Sequence, residues 1–336
     1  MSQKKDAHAT IKLGTTGPAI FPIALGCMSM SGMYGQSSDD ESIATIHAAI
    51  DRGVTLIDTG DLYGMGHNEL LIARALEGRS AQRDKLQISV KFGAMRSPDG
   101  AFIGMDCRPQ AVKNFAAYTL KRLRVEVIDI YRPARVDPSV PIEDTVGAIA
   151  DLIQQGYVRH IGLSEVGAET IRRAHAIHPV VDLQIEYSLA SRAPEEKIFP
   201  VLEELGISAT LYGVLSRGLL SGRKPQGAGD FRASLPRFTG ENSAKNEVLV
   251  QRIRDFASAS GRTATQLSVA WVLAKQPTLV PLLGARTREQ LEDVLGALAK
   301  PLSEEEVREM ESVVPRGAFH GERYQAAQMT HLDSEA

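Results

Sequence analysis

The chain has 336 residues, 43% hydrophobic and 24% charged, with a formal net charge of −3. This is soluble-globular composition without the Lys/Arg block that a phosphate backbone selects, which excludes nucleic acid as the expected partner. Two cysteines, Cys27 and Cys107, make no disulfide framework and point to a reducing cytoplasm. No stretch nears the roughly 20 apolar residues that span a bilayer, and the opening MSQKKDAHATIKLG lacks the apolar run of a signal peptide.

In chain order, short apolar runs alternate with amphipathic stretches. FPIALGCM (21–28) precedes SIATIHAAIDRG (42–53), VTLIDTG (54–60) precedes HNELLIARALEG (67–78), and LQISVKFG (86–93) precedes PQAVKNFAAYTLKRL (109–123). VEVIDIYRPA (125–134) is followed by IEDTVGAIADLIQQG (142–156), VRHIGLSE (158–165) by ETIRRAHAI (169–177), and VDLQIEYS (181–188) by EEKIFPVLEELG (195–206). ISATLYGV (207–214) leads to helical stretches at 245–261 and 265–276, and TLVPLLG (278–284) to REQLEDVLGALAK (288–300). Eight strand–helix units predict an α/β fold, a (β/α)8 TIM barrel occupying 1–336 as a single domain. The competitor, an open doubly wound sheet, lacks a GxGxxG after its first strand, and even spacing favours closure.

Two segments break the rhythm. Residues 215–242 form a Gly/Arg-rich connection, read as a cofactor or substrate loop, with a plain surface insertion as the alternative. The tail at 311–336 loses periodicity and either folds across a barrel mouth or frays.

Barrel chemistry sits at the C-terminal strand ends. Asp58 lies in DTGDLYG with Tyr63, and Lys91 lies in the apolar run SVKFG. Taken alone, Asp58 reads equally as a loop cap. Lys91 needs a partner, because a buried ammonium is costly unless paired. An ammonium beside a phenol favours the phenolate, which fits Tyr63 for moving a proton to or from a carbonyl oxygen. The bland alternative is a buried Lys–Asp pair beside a packed tyrosine. The histidines His47, His67, His160, His175 and His178 lack ligand spacing, so no metal is expected, and Cys27 reads as a small core hydrophobe.

LGCMSMSGMYG (25–35), DTGDLYGMGHNELLIARAL (58–76), VPIEDTVGAIADLIQQGYVRHIGLSE (140–165), QIEYSL (184–189) and RGLLSG (217–222) resemble the aldo-keto reductases. The similarity is to the bacterial and plant branch that includes pyridoxal reductases and potassium-channel β-subunits. The resemblance implies an NADP-dependent oxidoreductase interconverting a carbonyl and an alcohol, with Asp58, Tyr63 and Lys91 as the catalytic set. It also implies cofactor contacts at Met28, Ser164, Glu165, Gln184, Tyr212, Arg217, Leu219, Arg286 and Gln290. Arg286 and Arg288 open the last helix, where a 2′-phosphate is favoured, so NADP is expected over NAD. The substrate pocket is expected from Met33, Tyr34, Met95, Arg132 and Ala134, and the partner is a small carbonyl or alcohol, with the oligomeric state left open.

The sequence departs from that pattern at DIYRPARVDP (129–138), where Ala134 stands at the position of the family's histidine. Three readings follow: the space holds a water or a bulkier substrate; Arg132, on the same strand face by alternation, is a substitute donor; or the chain is repurposed toward nucleotide sensing. Glu165 replaces an asparagine, Gly213–Val214 replaces Ser–Pro, and Val294 another asparagine. The alternative to an enzyme is a nucleotide-binding regulatory or scaffold subunit. A third reading is an isomerase that oxidises its substrate transiently.

Overall fold

A computed structural model describes residues 10–32, 37–225 and 230–335. Its centre is a closed parallel barrel of β1 (Ala24–Gly26), β2 (Leu56–Gly60), β3 (Gln87–Phe92), β4 (Ile128–Pro133), β5 (Val158–Ser164), β6 (Val180–Glu186), β7 (Ser208–Tyr212) and β8 (Leu279–Gly284). Each strand pairs with its neighbour in sequence, and β8 pairs with β1, Leu282 opposite Ala24. Helices α1 (Asp39–Asp51), α2 (His67–Leu76), α3 (Pro109–Leu123), α4 (Ile142–Gln154), α5 (Ala168–Ile177) and α6 (Pro194–Leu205) follow the first six strands. Next come α7 (Gly240–Ala259), α8 (Ala264–Lys275), α9 (Arg288–Leu295) and α10 (Glu304–Val313). The expected (β/α)8 barrel is the architecture observed.

Local chemistry accounts for the helix boundaries. Pro109 opens α3 with φ already set, and Arg124 closes it in a left-handed conformation. Thr263 with Gln266 and Ser303 with Glu306 form reciprocal capping boxes at the starts of α8 and α10. Helix α7 starts at 240, earlier than the expected 245, because its first turn, GENSA, is too polar to register in the apolar period. The last unit tightens into a 3-10 turn at Gly296–Ala299 where a continuous helix was expected.

Alternation along the strands separates two environments. Outward residues such as Ile57, Ile88, Val90, Ile161 and Leu163 join the large core beneath the helices, where Phe92 and Tyr131 stack with centroids 4.2 Å apart. At the N-terminal end of the barrel, Ala24, Leu56, Ile130, Val280 and Leu282 form a separate apolar plug. Leu13 and Ile20 close it from below, carried by a small hairpin pairing Ile11–Lys12 with Ala19–Ile20. That hairpin, and a second one pairing Ala94–Arg96 with Phe102–Met105 after β3, were too short to register in the sequence pattern. Among the described residues no helix is long and apolar enough to cross a membrane.

Candidate active site

Above the apolar plug the barrel interior is polar. The Lys91 ammonium pairs with Asp58 Oδ1, and both residues are buried. Ser89 Oγ and Gln184 Nε2 each donate to Asp58 Oδ2 at 2.9 Å. Lys91 is thereby held with its Nζ 5.4 Å from the centre of the Tyr63 ring. Burial lowers the Lys91 pKa; Asp58 opposes this, while Arg132 and Arg135 push in the same direction as burial. The three expected catalytic side chains are therefore brought together.

Tyr63 begins a tight turn between β2 and α2 in which Gly64, Met65 and Gly66 all have positive φ. Gly66 is favoured there by its φ of 94°, and a Cβ would also press on the Arg122 side chain, 2.8 Å from Cδ. Asn68, at the start of α2, anchors the turn by accepting from Thr59 Oγ1 and donating to the Cys27 carbonyl and to Ser31. Cys27 is wholly buried, and burial pushes its thiol well above the ordinary range. That environment suits packing rather than nucleophilic chemistry.

Arg132 requires a correction. Its strand face is the expected one, but its guanidinium is wholly buried across the barrel, 2.6 Å from Asp182 Oδ2. It also donates to Ser89 Oγ at 3.0 Å and to the Leu163 carbonyl at 3.2 Å. Gly162 makes room for this crossing, because a Cβ there would lie 2.9 Å from Arg132 Cζ. The arginine is thus a strut beneath Asp58 and Lys91, linked to Asp58 through Ser89; both of its Nη atoms are committed to these partners, while its buried Nε makes no hydrogen bond. Ala134 lies buried just beyond the end of β4, its amide bonded to the Phe92 carbonyl. Beside it, Arg135 donates to the Ala134 carbonyl at 2.6 Å and reaches Ser164 Oγ and Tyr324 Oη at 3.5 Å.

The remaining expected contacts ring the same mouth. Met28 is half-buried in the turn Met28–Ser31, and Ser164 and Gln184 are buried. Tyr212 ends β7 with its hydroxyl 2.7 Å from Glu165 Oε1. Burial alone would raise the Glu165 carboxyl, but the Arg323 hydrogen bonds and charge, with that of Arg135, hold it at about 2. Arg217 pairs with the buried Glu186 at 2.8 Å, and Leu219 is buried. Ser216 and Arg217 are successive non-glycine residues with φ of 45° and 56°, and Glu165 has φ of 54°. Left-handed backbone of this kind costs on the order of 1 kcal/mol per residue, and such strain collects at functional sites.

Beyond the end of β8, the strand next to β7, the amide of Arg286 donates to Gln290 Oε1, which ties it to the first turn of α9. Burial, then the charges of Arg232 and Arg223, lower the Arg286 pKa, with Asp230 opposing. Cations crowded at a helix N-terminus form a place for an anion. The described parts of the 215–242 connection, 215–225 and 230–242, are packed rather than looped out: Leu220, Arg232, Leu235 and Arg237 are buried, and Arg232 Nη1 donates to the Arg217 carbonyl. Met95 lies in the second hairpin, whereas Met33 and Tyr34 fall outside the described residues. No group of three or more His, Cys, Asp or Glu side chains gathers as a metal site among the described residues.

One buried group here was missed in the sequence. Asp61 is buried, and no donor reaches either of its carboxylate oxygens in good hydrogen-bond geometry. Burial and the nearby Glu69 charge raise its carboxyl to about 7; the Arg122 charge and the poorly aligned amides of Gly93 and Leu62 offset only part of this. A raised folded-state value means that the stabilising contribution is full below the ordinary value of 3.8 and is lost as pH rises through about 7. Asp61→Asn is therefore expected to raise the unfolding free energy from urea denaturation more at pH 8 than at pH 5, by roughly 1–3 kcal/mol at the higher pH. A gain confined to pH 5 would contradict this environment.

A closed barrel with a buried acid–lysine pair beside a tyrosine at its mouth defines a class of barrel oxidoreductases. Comparison with known proteins gives the family: the profile of the Aldo/keto reductase family matches residues 22–315, and the chain belongs to it. Probable aldo-keto reductase 1 of Glycine max is 42% identical over 320 residues, covering 94% of this chain and 91% of that protein. The glycerol dehydrogenase AKR11B4 from Gluconobacter oxydans superposes with a TM-score of 0.84 at 29% identity, over 94% of this chain and 98% of its own. The aldo-keto reductase AKR11C1 from Bacillus halodurans, in its holo form, gives 0.76 at 25% identity, over 91% and 96%.

Proposed function

We propose that this chain, as one barrel unit, is a cytoplasmic NADP-dependent reductase of the branch named above, interconverting an aldehyde or ketone and an alcohol. The observation that carries the reading is the Asp58–Lys91 pair held against Tyr63 within the barrel. NADPH, when bound, supplies the hydride. Tyr63 gives its hydroxyl proton to the carbonyl oxygen, or takes it back from the alcohol in the reverse direction. Lys91 eases that transfer by its charge, Asp58 orients Lys91, and Ser89 and Gln184 hold Asp58.

The residues present fit the nucleotide. The strained backbone at Ser216–Arg217 after β7 and the cations around Arg286 after β8 supply anion sites, and Tyr212, at the end of β7, offers an aromatic face. Met28, Ser164, Gln184, Leu219 and Gln290 are assigned to the same ligand, with Arg286 on the 2′-phosphate. Arg286→Ala is expected to weaken NADPH binding about 10- to 100-fold while NADH binding changes less than about 2-fold, as loss of one charge-assisted contact requires. Fluorescence titration with both nucleotides checks it; equal losses would remove Arg286 from the 2′-phosphate.

Ala134 favours one second reading. A mouth without the histidine binds nucleotide but lacks a donor worth on the order of 3 kcal/mol to an oxyanion-like transition state. A nucleotide-binding regulatory or scaffold subunit would share the binding result and show no turnover. We favour the enzyme, because the Asp58 network is complete and a buried lysine is costly to keep without use.

A further inference from the structure

Glu165 stands where the family resemblance puts an asparagine, and the structure gives the exchange a physical reason. Its carboxylate accepts from Arg323 Nη1 at 2.9 Å and Nη2 at 2.6 Å, from Tyr212 Oη at 2.7 Å, from Ser334 Oγ at 2.6 Å and from the Glu186 amide at 2.9 Å. An asparagine would turn an amide donor toward a guanidinium and leave it half-paired. Two of these partners, Arg323 and Ser334, belong to the segment that follows α10.

That segment lies over the ends of β5, β6 and β7. It is tied down at one side by Asn246, which brackets His320, and by Arg237, which donates to the Gly321 carbonyl. At the other side Asp333 accepts from the Gly167 amide at 2.7 Å, and His331 packs edge-on to Phe102 of the second hairpin. Between these anchors the Tyr324 hydroxyl is 3.1 Å from that of Tyr212, and its ring lies 4.3 Å beneath the Arg217 guanidinium. Among the side chains gripped in the middle of the segment, Tyr212 and Arg217 are those that the family resemblance assigns to the nicotinamide and the pyrophosphate, and Glu186 and Arg135 are held beside them. Arg286 and Gln290, which the resemblance assigns to the adenosine side, are tied to each other and to the start of α9.

We infer that Arg323 is a positioning residue for the nicotinamide end of the site: by clamping Glu165 it fixes Tyr212, so that docking of the C-terminal segment and binding of the nicotinamide half are coupled. This rests on the nucleotide reading above. The adenosine half is held independently of the clamp.

The test compares NADPH with 2′-phospho-ADP-ribose, which keeps the adenosine, its 2′-phosphate and the pyrophosphate but has no nicotinamide. Both are titrated against the full-length native chain, Arg323→Met and Arg323→Lys. Arg323→Met is expected to weaken NADPH at least about 10-fold and 2′-phospho-ADP-ribose less than about 2-fold, with Arg323→Lys recovering part of the loss. Should Arg323→Met not fold, Ser334→Ala removes one bond to Glu165 and is expected to cost NADPH about 2- to 5-fold and leave the truncated ligand unchanged. Equal losses for both ligands would make the clamp merely structural and overturn the inference, as would tighter NADPH binding, which would make the segment a plug. Binding of neither ligand by the native chain would instead remove the nucleotide reading itself.

Discussion

Asp182→Ala is expected to destabilise the protein by roughly 3–5 kcal/mol, the cost of leaving one member of a buried ion pair uncompensated. Arg132 and Asp182 are both wholly buried, so no water takes the place of the missing carboxylate. Asp182 also accepts from the Thr210 amide and hydroxyl at 2.8 and 2.9 Å, so the substitution strands donors on two strands at once. Removing both charges, as Arg132→Met with Asp182→Leu, is expected to recover much of the loss, because the desolvation burden goes with the pair. Urea denaturation followed by circular dichroism measures both. A single-variant cost below about 1 kcal/mol would mean that the pair is not the strut described.

Tyr63→Phe is expected to lower kcat by about 10²- to 10⁴-fold, the usual contribution of a positioned general acid. NADPH affinity should stay close to native. Phenylalanine keeps the ring against which Lys91 lies and removes only the hydroxyl proposed to carry the proton. Steady-state kinetics with a reactive aldehyde, alongside nucleotide titration, separates the two quantities. Turnover within about 3-fold of native would take Tyr63 out of the proton path, since the loss would fall far short of that contribution.

Much of this site was readable from local sequence, and the reasons are specific. Lys91 drew attention because an ammonium inside SVKF must find a partner, and Asp58 sat on the neighbouring strand to receive it. The eight units were visible because apolar runs and helical periods alternate with few interruptions. Arg132 shows where local reasoning stops. Alternation gave its face correctly, but its depth is set by Asp182, fifty positions later, which in VDLQIEYS is only one more polar residue in a strand. The inward series Asp182, Gln184, Glu186 was the available sign of a polar barrel interior. Arg323 and Tyr324 lie in a stretch with no period at all, and their place at the mouth follows from contacts with Glu165 and Tyr212, more than a hundred residues away. The one clue to them was Glu165 itself, a carboxylate in an asparagine's place.

The central claim is that the barrel carries out reduction although Ala134 replaces the histidine. It is tested most directly by following NADPH consumption by the native chain over a broad panel of aldehydes and ketones, with Ala134→His measured in parallel. Turnover by the native chain, changed only in rate or substrate range by the histidine, is the expected result. A native chain that binds NADPH yet consumes none, while Ala134→His becomes active, would contradict it and make position 134 the point at which reductase chemistry was given up.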